Sequence, residues 1–303
     1  MKNIKLILAL LVSLAVTACG GGGGDGGLGN SVPTTPLLIT SDATQLQKIT
    51  TAVLNTTSGS AINIFSPSDF LDALNAINPS CANGGTVEHF ASGSASGTID
   101  FFDCSYTVGK SLRGTVSYSF LTTTPLNNSF NPDDLSAKLN LNLTVTRAGF
   151  PITTLVGDYN LGVTGLNSST TTKTSSSSAG ASLKVSNNLT EVISNFSFQN
   201  VSLFSSSESG NNYFTLASSY LGGVINYDTI TPFVTNTTLS HRFPSTGSAL
   251  ITSTASSSEL LVTIMGDEYS PSPNQIKIEF RTSPSSIYNP PVFYAWTYLF
   301  PPP

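Results

Sequence analysis

The chain has 303 residues, a formal net charge of −5 and only 10% charged residues. Nothing in that balance resembles a basic footprint for nucleic acid, so nucleic-acid binding is excluded. Ser, Thr, Asn and Gly abound beside β-branched and aromatic residues, and long helical patterns are scarce, as suits an exported all-β protein.

Lys2 and Lys5 give a positive start, and Ile4 to Val16 is apolar except for Lys5 and Ser13. This is the layout of a secretory signal peptide. The run is too short for a membrane span, which needs about 20 apolar residues. Its ending, Val16-Thr17-Ala18-Cys19, resembles the lipobox of bacterial lipoproteins. That resemblance implies removal of residues 1–18 and acylation of Cys19, which makes the membrane a partner through an N-terminal lipid. Losing Lys2 and Lys5 with the leader takes the formal charge from −5 to −7. Gly20 to Gly24, Asp25, Gly26 and Gly27 follow at once, and a Gly run reads as a flexible tether. Residues 19–36 are therefore the lipidated Cys and a Gly/Pro-rich tether. Several acyl chains anchor stably where one is marginal. Gly20 rather than Asp follows the Cys. By resemblance to enterobacterial sorting rules, this implies the bacterial outer membrane, with either face open.

Residues 37–303 read as a single β-rich domain with a helical prelude over 41–78. Ser41 to Asn55 is a predicted helix: Ser41 can cap it, Asp42 sits in its first turn, and Leu46, Ile49 and Val53 share a face. A second helix starts at Ser66, with Pro67 at its first position and Asp69 placed for a capping box. Phe65 and Phe70 are spaced for a hydrophobic staple; Phe70, Leu71, Leu74 and Ile77 form the stripe, and Asn78-Pro79 stops it.

With Cys19 lipidated, Cys81 and Cys104 remain, and an even pair in an oxidising periplasm reads as a disulfide. It would close a loop of about two dozen residues and contribute about 3 kcal/mol. The competing metal pair lacks the short ligand spacing of zinc sites and has only His89 nearby. The bridge would tie the helical prelude to the first strands.

From Thr86 the period changes to two. Strands are predicted at Thr98–Asp103 and Thr115–Thr123. In Leu135–Val145, the residues Leu135, Ala137, Leu139, Leu141, Leu143 and Val145 alternate with Ser136, Lys138, Asn140, Asn142 and Thr144. That is a long amphipathic strand with one wet face, about 35 Å in length. Leu155–Val163 repeats the pattern with Leu155, Tyr159, Leu161 and Val163. Asn167–Ser178 is nearly pure Ser and Thr and reads as a loop or hairpin tip. Further strands are expected around Leu183 and at Phe196–Leu203, Tyr213–Leu221, Val224–Ile230, Val234–Phe243, Ala249–Thr254, Glu259–Met265 and Gln275–Arg281. Val292–Phe300, aromatic on both faces, suits a buried last strand. With no alternating helices to carry parallel crossovers, the fold class is mainly β: a long antiparallel, strongly curved meander, half-barrel or barrel-like, with one or two short N-terminal helices. A membrane-spanning barrel fits the strand lengths but not the anchor, the helices, the disulfide or the Pro-rich end.

Catalytic motifs fail on inspection. Gly109-Lys110-Ser111 lacks the earlier Gly of a phosphate loop, because that position is Cys104. Gly93-Ser94-Ala95-Ser96-Gly97 has Ala95 where a nucleophile elbow needs Ser. Glu88 adjoins His89, but neighbours on a strand point to opposite faces. The other histidine is His241. Asp133-Asp134 and Asp267-Glu268 are acidic turns without a full calcium loop. No catalytic residue, metal site or cofactor is therefore expected, and the chain reads as no enzyme.

The run Cys81-Ala-Asn-Gly-Gly-Thr86, then Gly97-Thr-Ile-Asp-Phe-Phe-Asp-Cys104, then Gly114-Thr-Val, resembles uncharacterised Gram-negative lipoproteins with a lipobox and Gly-run tether. That resemblance supports the disulfide and brings no activity. The expected role is a non-enzymatic binding or structural module of the cell envelope with an envelope protein as partner. The alternative is a carrier of an apolar, lipid-like ligand in a half-barrel similar to the LolA/LolB type. Its lining would be Leu135, Leu139, Leu141, Leu143, Val145, Tyr159 and Leu161.

Overall fold

A computed structural model describes residues 32–57, 65–76, 79–92, 95–121, 134–148, 152–165, 170–177, 182–186, 190–203, 207–236, 244–267 and 275–299. The leader, Cys19, Ile77, Asp133, His241 and Glu268 lie outside these residues.

Helix α1 spans Ala43–Asn55, and its N-cap is Asp42 rather than Ser41. The Asp42 carboxylate accepts the Gln45 N–H at 2.8 Å. A carboxylate both satisfies an orphan donor and meets the positive end of the helix, which a hydroxyl does less well. Helix α2 spans Pro67–Leu74 and carries the expected capping box: Ser66 Oγ accepts the Asp69 N–H at 3.2 Å, and Asp69 Oδ2 accepts the Ser66 N–H at 2.8 Å. The Phe65 and Phe70 rings meet edge-on at 6.3 Å, the contact their positions require. The helix ends at Leu74 with Asn75 as its cap, ahead of the expected stop at Asn78-Pro79. A short amide that bonds the local backbone is a poor helix interior residue.

The rest is one antiparallel sheet. Its first half holds β1 (Thr86–Ala91), β2 (Ser96–Cys104), β3 (Lys110–Phe120), β4 (Leu135–Arg147), β5 (Thr153–Thr164), β6 (Thr170–Ser177) and β7 (Ser182–Ser186). Its second half holds β8 (Thr190–Leu203), β9 (Ser207–Ser218), β10 (Gly223–Asn236), β11 (Thr246–Ser253), β12 (Ser256–Met265), β13 (Gln275–Arg281) and β14 (Val292–Ala295), followed by a short helix α3 (Trp296–Leu299). Strands pair in chain order, except that β6 and β7 share one lane between β5 and β8. No pairing joins β1 to β14, so the meander is open.

Burial sets the register. Leu135, Ala137, Leu139, Leu141, Leu143 and Val145 of β4 are buried, while Lys138, Asn140 and Asn142 between them are exposed. Fully burying one such side chain contributes about 1.5–3 kcal/mol. Strand propensity spans only about 1 kcal/mol, and a one-residue slip would expose the whole set. Leu141 accordingly stands opposite Val116 on β3 and Gly157 on β5. The apolar face is covered by the helices: Leu46, Ile49 and Val53 of α1 and Phe70 of α2 join the same core cluster as the β4 side chains. Phe65 meets Phe101 of β2 at 5.9 Å, and Phe70 meets Tyr118 of β3 at 5.5 Å. Apolar side chains face the helices and polar ones face outward, the reverse of a membrane barrel.

Several elements depart from the sequence pattern. The Ser/Thr run read as a loop or long hairpin tip contains β6, hydrogen-bonded on both sides by β5 and β8. Its residues lack apolar alternation, but a lane between two strands needs only backbone donors and acceptors, and β-branched Thr suits it. Val224–Ile230 and Val234–Phe243 are not separate strands: β10 runs through both, with register breaks between Thr229 and Val234 around exposed Pro232. Proline lacks the donor and is accommodated at such a bulge. Residues 237–243 lie outside the described set. Tyr213–Leu221 shifts back to Ser207–Ser218, and residues 219–222 form the turn to β10. The last stretch is not a long buried strand. Val292 and Phe293 are exposed on the edge, and burial falls to Trp296 and Leu299 of α3. The Trp296 indole N–H donates to the Gly266 carbonyl at 2.7 Å.

Candidate functional site at the α2 end of the sheet

The densest polar chemistry lies where α2 meets the ends of β2 and β3. Cys81 and Cys104 are joined as a disulfide with Cα atoms 5.5 Å apart, and both are buried. Three backbone hydrogen bonds close the loop around it: Cys81 N–H to Gly85 O at 3.1 Å, Ser105 N–H to Gly84 O at 2.9 Å, and Asn83 N–H to Ser105 O at 2.8 Å. Gly85 has φ +75°, and a Cβ there would fall 2.1 Å from the Asp103 carbonyl oxygen. Only glycine permits that approach, which gives the Gly-Gly-Thr block its physical reason.

Beside the bridge, Lys110 Nζ forms an ion pair with Asp69 Oδ2. Both side chains are nearly inaccessible, at 12% and 5% relative exposure. Asp69 thus serves twice, as capping-box acid and as the counter-ion of a lysine 41 positions away. Asp72, one turn along α2, is held above the usual carboxylate range by burial and then by the Asp69 charge. The Tyr106 hydroxyl is buried without a hydrogen-bond partner. Burial, then Asp72 and Asp69, push it up to about 12. The cluster is a clamp that fixes α2 to the sheet. Its lysine is paired and its phenol stays protonated, so no activated nucleophile results.

His89 lies on the edge strand β1 with Nε2 2.7 Å from the Tyr118 hydroxyl. Burial lowers the His89 pKa and raises that of Tyr118, so both are neutral at pH 7. A groove of about 460 Å³ lined by Ala76, Pro79, Val87, Glu88, His89 and Phe90 runs beside it. Glu88 pairs across to Asp100 on the exposed face, so it does not orient the imidazole. A general base needs a positioned proton to take and an orienting group. Among the described residues the His89 ring hydrogen-bonds only to the unactivated phenol of Tyr118. Asp134 Oδ1 accepts the Gly165 N–H at 3.1 Å, a contact across the ends of β4 and β5 rather than within one turn. No group of three His, Cys, Asp or Glu among the described residues is arranged to hold a metal.

The proposed apolar lining falls in the core. Leu135, Leu139, Leu141, Leu143, Val145 and Leu161 are at most 3% exposed. Tyr159 stands opposite Leu139 in the β4–β5 register. Farther across the sheet a ladder of rings stacks inside: Phe196 to Phe198 at 5.1 Å, Phe198 to Phe214 at 6.0 Å, and Phe214 to Tyr227 at 4.5 Å. Beside it, opposite Phe198, the buried Asn212 Oδ1 has no hydrogen-bond partner, and the buried Tyr227 hydroxyl lies by the Thr229 and Thr57 hydroxyls. Burial drives the Tyr227 hydroxyl well above the ordinary phenol range, offset in part by the nearby Thr229 and Thr57 hydroxyls. Sequence reasoning singled out neither this pair nor the Lys110–Asp69 contact. The partners sit far apart in the chain, and the bulges in β8 and β10 shift the alternation that would have revealed them.

No protein-family model, no curated protein and no solved structure matches the chain.

Proposed function

We propose that the chain is a lipid-anchored protein of the bacterial outer membrane, tethered through Cys19, whose domain is a non-enzymatic binding or structural module of the envelope. The lipobox Val16-Thr17-Ala18-Cys19 and the Gly run support the anchor. The observation that carries the module reading is the covered interior. α1 and α2 occupy the apolar face of the sheet, and the side chains that would line a ligand hollow are packed into one core with them. A surface built for partners then remains on the outside, where the strands present Ser, Thr and Asn. The reading also rests on the α2 cluster, which spends its charged groups on holding the helix.

A second reading has one specific observation in its favour. Beside the ring ladder, opposite Phe198, Asn212 Oδ1 is buried without a hydrogen-bond partner. Buried polar groups are normally satisfied, so a ligand with an apolar body and a hydrogen-bonding head would suit this interior. Native mass spectrometry of chain extracted from membranes decides between the two. The module reading expects no retained apolar mass. Retention of a lipid-sized mass, lost on Tyr227→Phe with Asn212→Leu, would establish the carrier instead.

A further inference from the structure

Four connections along one rim of the sheet carry an exposed apolar side chain. The strand ends meet along this rim, with register shifts near it between Phe101 and Cys104 and between Thr252 and Ser253. Lys110 opens β3 opposite Arg147 at the end of β4, Thr153 opens β5 opposite Val145 and Val185, and Glu191 opens β8 opposite Ser218. Gly223 pairs Ser218, Ser256 pairs Ser253, and Glu259 pairs Arg281 near the β13–β14 loop. The connections at this rim carry Val108 at 82% exposure, Ile152 at 48%, Tyr220 at 38% and Ile287 at 92%. Exposed apolar side chains at four of these connections are not what a solvated rim needs, since turns are otherwise polar.

The chain joins the domain at the same rim. Leu37 N–H donates to Val224 O at 2.9 Å, and Val224 N–H donates to Thr35 O at 3.0 Å, which pins residues 35–37 beside the start of β10. The next residue, Leu38, is 58% exposed. Lys48 Nζ stands 5.5 Å over the Tyr220 ring, a cation beside an amphipathic ring. Tyrosine and a snorkelling lysine are the side chains that suit a headgroup layer. From Cys19 to Val32 the chain reaches at most about 45 Å when extended. The 13 residues of β4 span about the same length. The segment that leads back to Cys19 enters the sheet at this rim.

We propose that this rim rests on the membrane, with Leu38, Val108, Ile152, Tyr220 and Ile287 seated in the lipid interface as a second, non-covalent contact. The proposal builds on the anchoring reading above. The occupant is the bilayer and not a protein, because the segment that leads back to Cys19 enters the sheet at this rim. Apolar insertion, not charge, carries the contact, since an acidic chain gains nothing from anionic headgroups.

The test uses the full lipidated chain in phosphatidylcholine vesicles. Cys19 is acylated and Cys81 is bridged to Cys104, so a single introduced cysteine takes an environment-sensitive fluorophore. Val108→Cys and Ile287→Cys report the rim, and Asn142→Cys reports the exposed middle of the sheet; none of the three removes a core side chain. With brominated acyl chains, labels at 108 and 287 should lose emission roughly twofold, as expected about 5–10 Å into the interface, and the label at 142 should not. The loss should persist in high salt. An acylated Cys19 with unquenched labels at 108 and 287, whether wet or covered by protein, overturns the rim contact alone. An unacylated Cys19 in the N-terminal peptide mass overturns the anchoring reading and the rim contact with it.

Discussion

Asp69 and Lys110 form the contact whose loss the structure makes most costly, and a double-mutant cycle measures it. Asp69→Asn keeps the shape of the capping residue but removes the carboxylate that faces Lys110. The ammonium is left in a site where its side chain is 12% exposed, so the loss is close to that of breaking a buried pair, about 3–5 kcal/mol. Lys110→Met is milder. Asp69 still accepts the Ser66 N–H at 2.8 Å and the Ser66 hydroxyl at 2.7 Å, and it sits at the favourable end of α2. The expected cost is about 1–3 kcal/mol. The double substitution removes both charges and should cost about 1–2 kcal/mol, chiefly the weakened cap. The coupling energy is then at least about 2 kcal/mol. Urea unfolding of the four chains under non-reducing conditions, followed by far-ultraviolet circular dichroism, supplies the cycle. A coupling below about 0.5 kcal/mol, the range of a surface pair, would refute the clamp.

Three other outcomes follow from the same packing. Leu141→Ala, at a site 1% exposed in the middle of β4, should lower stability by about 3–5 kcal/mol; in the same urea assay, a loss under about 1 kcal/mol would mean that the helices do not cover this strand. Replacing Cys81 and Cys104 by Ala should cost about 3 kcal/mol, and the folded chain should resist reductant because both sulfurs are buried. Glu191 is held above the ordinary carboxylate range by burial, offset in part by the Ser218 hydroxyl at 2.9 Å. Its ionised form is disfavoured in the fold, so its contribution is intact below the ordinary Glu pKa and is lost as pH rises through the raised one. Glu191→Gln should therefore unfold at higher urea than the native chain at pH 7, with the two converging near pH 4, close to the reference Glu value of about 4.3.

What was legible in the sequence is what burial or local bonding dictates. Ser66, Pro67, Asp69 and the two flanking Phe fixed α2, because each interaction lies within a few residues of the next. The alternation from Leu135 to Val145 announced β4 and which face it buries. The cysteine pair followed from count and compartment and is joined in the structure. The misses have a common cause. β6 owes its existence to neighbours on both sides rather than to its own Thr and Ser. Lys110 looked like a fragment of a phosphate loop, and only the fold brings it to Asp69. Val292 and Phe293 looked like core because they are apolar. At the edge of the sheet, though, the strand pairs on one side only, and nothing covers their outer face among the described residues.

The most direct measurement of the central claim is native mass spectrometry of the chain extracted from outer membranes, followed by denaturing analysis without reductant. The account predicts a polypeptide that begins at an acylated Cys19, is lighter by one pair of hydrogens than its reduced form, and carries no further apolar mass. A chain that retains residues 1–18 without acylation, or one that holds a lipid until it is unfolded, would contradict it.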